Sequence, residues 1–107
     1  PKALVIIEGI LVLHAPAIRA WTDYGVFVGC EEGVRYARRS QRDIVERGRT
    51  PDDIERQFFT QVVPMHSEFV EPSSEHADMI ITDAEHGLRD ADVDSFVELC
   101  VRLKAGV

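Results

Sequence analysis

Two periods organise the apolar positions along this chain. Ala3-Leu-Val-Ile-Ile7 is a continuous run rich in β-branched residues, the pattern of a strand covered on both faces, as in a parallel sheet. Gly25-Val-Phe-Val28 reads as a second short strand broken by Gly29, and Asp78-Met-Ile-Ile81 as a third. Between them the period becomes helical. Residues 15–21 fit a short helix with Pro16 in its first turn. A second helix opens at Glu31 or Glu32, with acids at its positive end, and runs to about Arg47, where Gly48 stops it. Thr50-Pro51-Asp52-Asp53 is a strong third start: Thr50 as N-cap, Pro51 at the first helical position, and Asp53 closing a capping box. Ile54, Phe58, Val62, Met65 and Phe69 then recur as a core stripe, and Pro64 is expected to kink this helix or divide it. Residues 71–74 read as a loop and 83–87 as a polar connection. The last helix, about 91–104, carries Val93, Phe96, Val97, Cys100 and Leu103 on one face. Strands alternating with helices predict an α/β fold with a mainly parallel sheet and flanking helices, in one unit without repeats or linkers.

Charge sharpens this picture at one place. The stretch from Arg35 to Arg49 holds six of the chain's 12 Lys and Arg residues against two acids, Asp43 and Glu46, within a chain of net charge −7. At 100° per residue, Arg35, Arg38, Arg39 and Arg42 share one helix face, while Arg47 and Arg49 flank the glycine. A planar guanidinium fork matches phosphate oxygens and stays charged at working pH. Several forks on one face, followed by a glycine hinge and two more, suit a lid that closes over a polyphosphate and neutralises charge during phosphoryl transfer. The alternative is a solvated basic face paired with Asp43, Glu46 and other acids. An RNA-binding helix is a third reading, against which no aromatic residues interleave to stack bases.

The remaining composition mostly excludes. At 107 residues the chain is one small unit, and its acidic balance opposes a general nucleic-acid or anionic-membrane binder. The longest aliphatic run is far short of the roughly 20 residues a membrane span needs, and no secretory signal pattern opens the chain. Cys30 and Cys100 form no CxxC and fit free thiols in a reducing cytoplasm. His14, His66, His76 and His86 make no metal-ligand pair, and neither a GxSxG nor a GxxxxGK[ST] can be built. Glu8, expected at a strand's C-terminal edge, fits either a water-mediated Mg²⁺ ligand or an ordinary salt-bridged carboxylate. The opening at Pro1, directly before an apolar run, reads as a piece of something longer.

Several segments in register then carry a resemblance. Glu8-Gly-Ile-Leu11, Arg38-Arg-Ser-Gln-Arg-Asp-Ile-Val-Glu-Arg-Gly-Arg49, Val63-Pro-Met-His66, Phe69-Val-Glu-Pro72 and Ala77-Asp-Met-Ile-Ile81 resemble the C-terminal half of uridine–cytidine kinases, in the phosphoribulokinase/uridine kinase group of P-loop kinases. The resemblance implies a partial P-loop nucleoside-kinase fold with an Arg-rich lid, forming the C-terminal part of a single domain over residues 1–107. It implies transfer of the γ-phosphoryl of ATP to the 5′-hydroxyl of uridine or cytidine in pyrimidine salvage, with Mg²⁺ and a homotetrameric assembly. By position in the motif, Arg42 and Arg47 match lid arginines on the ATP phosphates. Arg39 and Arg49 match arginines that reach the nucleoside or its phosphoryl-accepting end, Gln57 a residue that helps hold the base, and Glu8 the acid near Mg²⁺. Arg35 and Arg38 are left as scaffold.

Departures matter too. The family commonly has an Asp-rich turn where this chain has Gly29-Cys-Glu-Glu32, which puts local helix capping in question. The family's phosphate loop and catalytic Asp lie upstream of the segment matching Glu8–Leu11, so these residues by themselves are expected to be inactive and to leave a sheet edge open. A phosphoribulokinase-like sugar kinase is disfavoured because its corresponding block ends in Gly-His where this chain has Gly48-Arg49. A degenerate, non-catalytic binding module stands as the rival of another class.

Overall fold

The computed structural model describes residues 4–84 and 87–106. Ala3 and His86, both named above, lie outside them. In chain order the elements are α1 (Pro16–Arg19), β1 (Val26–Cys30), α2 (Glu32–Arg47), α3 (Pro51–Gln57), α4 (Val63–Met65), β2 (Met79–Ala84), β3 (Gly87–Leu88) and α5 (Asp90–Lys104). The sheet order is β1-β2-β3. β1 and β2 pair in parallel from Val26 opposite Met79 to Cys30 opposite Asp83. β3 returns antiparallel to β2, so Asp83 and Ala84 of the expected connection belong to a strand, as does Gly87, and the sheet is mixed; residues 85–86 of that expectation lie outside the described residues.

Side-chain alternation shows how this sheet is covered. Partners in parallel register point to the same face, which places Phe27 beside Ile80 and Val28 beside Ile81. Phe27 is buried and packs with Leu13 and Val70, but Ile80 is 62% exposed. On the other face Ile81 is buried and Val28 exposed. Each face is therefore covered over one strand only. The β1 entry is tight: a Cβ on Gly25 would lie 2.9 Å from Leu13 Cδ2, and the Gly25 N–H donates to Asp78 Oδ2 at 2.7 Å.

Residues 4–7 correct the first expectation. They form no strand, and Val5 is 76% exposed. An apolar run becomes a strand only when another edge takes up its backbone N–H and C=O groups, and among the described residues no strand pairs with it. Gly29 also stays within β1 instead of breaking it.

The long helix departs from its expected pattern for a definite reason. Thr50 caps it as expected, its hydroxyl accepting from the Asp53 N–H at 3.3 Å with Pro51 next in line. Beyond α3 the path widens into π-helical turns over Phe58–Val62 and His66–Val70, with Pro64 in the short α4 between them. A proline offers no N–H and crowds the carbonyl four residues back, and widened turns accommodate both demands without ending the helix. Each π turn also shifts the phase of the apolar stripe. Ile54 and Phe58 are fully buried, but further along Val70 turns inward and Phe69 remains exposed. Residues 71–74, expected as a loop, continue as a 3₁₀ helix (Glu71–His76), with Pro72 tolerated in its first turn. On α5 the most buried residue is Leu99, while Val93 and Val97 of the expected face are exposed.

The radius of gyration is 16.2 Å, against about 13 Å for a closed domain of this size. Beside the Leu13, Phe27 and Val70 cluster, Phe58 is the centre of a second apolar group: its ring meets Tyr36 at 5.0 Å and Phe59 at 5.2 Å, both edge-on. Phe58→Ala is expected to destabilise the fold by about 3–5 kcal/mol, whereas the exposed Val97→Ala should stay within about 0.5 kcal/mol. Chemical denaturation followed by circular dichroism checks both.

Candidate functional site

The arginine-rich helix is fastened to the sheet at its first turns. Arg35 Nε donates to the Cys30 carbonyl at 3.0 Å. Arg38 forks onto Asp83 of β2 at 2.6 and 3.2 Å. The Glu31 N-cap makes no side-chain capping bond, so these arginine contacts secure the junction where the Asp-rich turn is missing. The residues read as scaffold thus do bind α2 to the sheet.

Two turns further on sits Asp43, which the alternative reading paired with a solvated basic face and which the structure instead buries. Asp43 has no exposed surface and lies among four guanidiniums. Arg42 donates through Nε and Nη2 to Oδ1 at 3.1 and 3.0 Å, and Arg47 Nη1 stands 3.6 Å from the same oxygen. Arg39 Nε faces Oδ2 at 3.8 Å, and Arg49 Nη1 faces it at 3.7 Å. Neither Arg39 Nε nor Asp43 Oδ2 has a hydrogen-bond partner, so charge alone joins them. The backbone converges here as well. Gly48 takes the left-handed conformation, φ 61°, and its N–H and that of Arg49 both donate to the Asp43 carbonyl. Glycine suits this turn because it has no Cβ to clash.

Burial pushes the Asp43 carboxyl upward, but the Arg42 hydrogen bonds and the charges of Arg42, Arg39 and Arg47 outweigh it and hold the group below the usual carboxylate range. Its neighbour along the cluster is Asp53, lowered chiefly by hydrogen bonds from Arg49 and Arg56. Arg49 links the two acids. Its Nε and Nη2 donate to Asp53 Oδ2 at 3.1 and 2.7 Å, and its Nη1 donates to Gln57 Oε1.

The structure therefore brings together five of the six candidates. Arg39, Arg42, Arg47 and Arg49 surround Asp43, and Gln57 joins through Arg49. Glu8 stands apart, exposed in the irregular segment and following no strand. Among the described residues no group of three or more His, Cys, Asp or Glu side chains could hold a metal. Glu8 thus fits at most a water-mediated contact to an ion held mainly by other groups.

Beside the cluster opens a cleft of about 380 Å³. Arg35, Arg38, Arg39 and Arg42 form its basic wall, and Phe58, Met65 and Val70 its apolar floor. A basic wall beside an apolar floor, open to solvent, is complementary to a ligand with a flat apolar part and an anionic part. His66 also lines it, 3.1 Å from Glu71 Oε2. The histidine count gave no sign of this, since π turns set its direction. Asp43 did have a signal: it lies four residues after Arg39 and four before Arg47, the spacing of helical ion pairs. No helix among the described residues is long and apolar enough to cross a membrane.

Because the Asp43 carboxyl is lowered by folding, its contribution to stability is complete above the unfolded value of about 3.9 and is lost as pH falls through the lower folded value. Asp43→Asn is expected to unfold at lower temperature than the parent at neutral pH. The gap should close below about pH 4, which melting curves across pH 2–7 would show.

The model of the Phosphoribulokinase / Uridine kinase family matches residues 1–103. A uridine kinase of Clostridium botulinum (strain Okra / Type B1) is 46% identical over 86 residues, 80% of this chain and 42% of that protein. One from Clostridium perfringens (strain ATCC 13124) is 43% identical over 93 residues, 87% and 45% of the two chains. One from Bacillus anthracis (strain CDC 684) is 44% identical over 97 residues, 91% and 45%. The chain spans less than half the length of these relatives.

Proposed function

The chain belongs to the phosphoribulokinase/uridine kinase family, and on that footing we propose that it supplies the C-terminal part of a kinase domain that phosphorylates uridine or cytidine at the 5′-hydroxyl with ATP. The observation that carries the reading is the arginine cluster at the basic wall of the cleft. Arg39 and Arg42, two of the four guanidiniums that share the buried Asp43 carboxylate, line the cleft together with Arg35 and Arg38 and face its apolar floor, while Arg47 and Arg49 stand behind that wall. A nucleoside presents a flat apolar base, and the transferred phosphoryl group spreads negative charge over its oxygens.

In this proposal Arg42 and Arg47 act on the ATP phosphates, in the manner of a lid that neutralises developing charge. Arg39, Arg49 and Gln57 act on the nucleoside. Glu8 contributes to Mg²⁺ through water, an ion whose main ligands are assigned to ATP and to residues of the complete protein. The phosphate loop and the acid that activates the hydroxyl are assigned outside these 107 residues, so the chain is given no turnover of its own. A homotetramer in the cytoplasm is the proposed setting, and the free thiols Cys30 and Cys100 suit a reducing compartment.

Steady-state kinetics of the complete protein test these roles. Arg42→Ala and Arg47→Ala are expected to lower kcat on the order of a hundredfold, with smaller effects on nucleoside binding. Unchanged turnover in both would remove the lid assignment. Arg39→Ala and Gln57→Ala should instead raise the nucleoside KM about tenfold, the scale of one lost charge-assisted hydrogen bond. Turnover of ribulose 5-phosphate in place of uridine would move the protein to the sugar-kinase branch of the family. Binding of ATP without turnover of either would make it a binding module.

A further inference from the structure

The two oxygens of the buried Asp43 carboxylate divide the arginines in a way that the motif spacing does not reveal. Oδ1 faces Arg42 and Arg47, and Oδ2 faces Arg39 and Arg49. On the roles given above, one oxygen faces the pair assigned to ATP and the other the pair assigned to the nucleoside. We propose that Asp43 is a positioning residue that couples the two substrate sites, one carboxylate oxygen holding each pair of arginines. The proposal rests on the functional reading above.

The distances support a holding role over a blocking one. Among the described residues only Arg42 donates to the Asp43 carboxylate, while Arg39 and Arg47 meet it at ion-pair distance and keep their donors for another acceptor. Arg39 Nε is buried without a hydrogen-bond partner. An acid that took up every donor would compete with a phosphate; one that only attracts the guanidiniums orients them and lets them be claimed. Because the two oxygens share a single delocalised negative charge, a change at one pair of arginines alters the attraction felt by the other. Phosphates that draw Arg42 and Arg47 away from Oδ1 leave more of the negative charge to Arg39 and Arg49 at Oδ2. Such coupling is reciprocal: whatever ATP does for nucleoside affinity, the nucleoside does for ATP. The backbone carbonyl of Asp43, which accepts from Gly48 and Arg49, is unchanged by replacing the side chain. Asp43→Asn therefore removes the charge and keeps the helix end.

Kinetics of the complete protein with uridine and ATP varied separately provide the test, run well below each variant's melting temperature. Asp43→Asn should raise both KM values fivefold or more, the lower range of measured site-to-site coupling. Arg42→Ala should act mainly on kcat, and Arg39→Ala mainly on the nucleoside KM. In the Asn background each arginine deletion should cost less than it does alone. Asp43→Glu, which keeps the charge one methylene further out, should recover part of both KM values; if Asn prevents folding, Glu carries the test by shifting both together. A folded Asn variant with both KM values and kcat within twofold of the parent overturns the proposal, and so does a shift confined to one substrate. Arginine side-chain ¹⁵N spectra separate failure of this idea from failure of the functional reading. If the parent turns over neither uridine nor cytidine, that reading falls by itself. Loss of ordered signals from Arg39, Arg42, Arg47 and Arg49 together in Asp43→Asn would still support the positioning role, and a change at Arg42 alone would refute it.

Discussion

A carboxylate sealed from water costs several kcal/mol in desolvation unless opposite charge surrounds it, and Asp43 meets that demand with four guanidiniums drawn from one helix and the turn beyond it. This constraint organises the basic stretch. It draws the Arg47 side chain, at the end of α2, and Arg49, just beyond it, toward Asp43, and it makes the left-handed turn at Gly48 part of the same unit, because the Asp43 carbonyl receives the N–H groups of that turn. Through Arg49 the arrangement reaches Asp53 and Gln57, so the end of α2 and the start of α3 are joined by charge as well as by chain. An arginine-rich segment that would repel itself in isolation becomes an ordered surface with charge to spare.

The sheet plays the supporting part. Arg35 and Arg38 tie the opening turns of α2 to Cys30 and Asp83, so the strand ends set where the arginine face points. The apolar layers are less complete than the polar network. Phe27 is buried and its neighbour Ile80 is not, Ile81 is buried and Val28 is not, and Trp21 is 88% exposed. The chain spans less than half the length of the relatives it matches, and it leaves much apolar surface uncovered.

The floor of the cleft depends on a local irregularity. With α-helical spacing throughout, Phe69 would face inward beside Met65. The two widened turns around Pro64 rotate that face, so Val70 lies against the Leu13 and Phe27 cluster and also lines the cleft. Widened turns recur where helices meet functional surfaces, and here a proline accounts for them without any appeal to strain.

Much of the framework was legible in residue order alone. The bounds of α2, the Gly48 stop, the Thr50-Pro51 start and two strands follow from caps, glycine and periodicity, since these signals act within a few residues of one another, and the family came from the resemblance of several segments in register. The resemblance named Arg42 and Arg47 for ATP and Arg39, Arg49 and Gln57 for the nucleoside as separate sets; their meeting around Asp43 was hidden, because i,i+4 spacing cannot tell a surface ion pair from a buried one. Nor could spacing show which way a helix turns after a π-helical step, as at Val70 and His66, or that residues 4–7 would remain unpaired. A strand, a buried charge and the inner face of a widened helix each depend on what stands opposite, and only the tertiary structure brings those partners together.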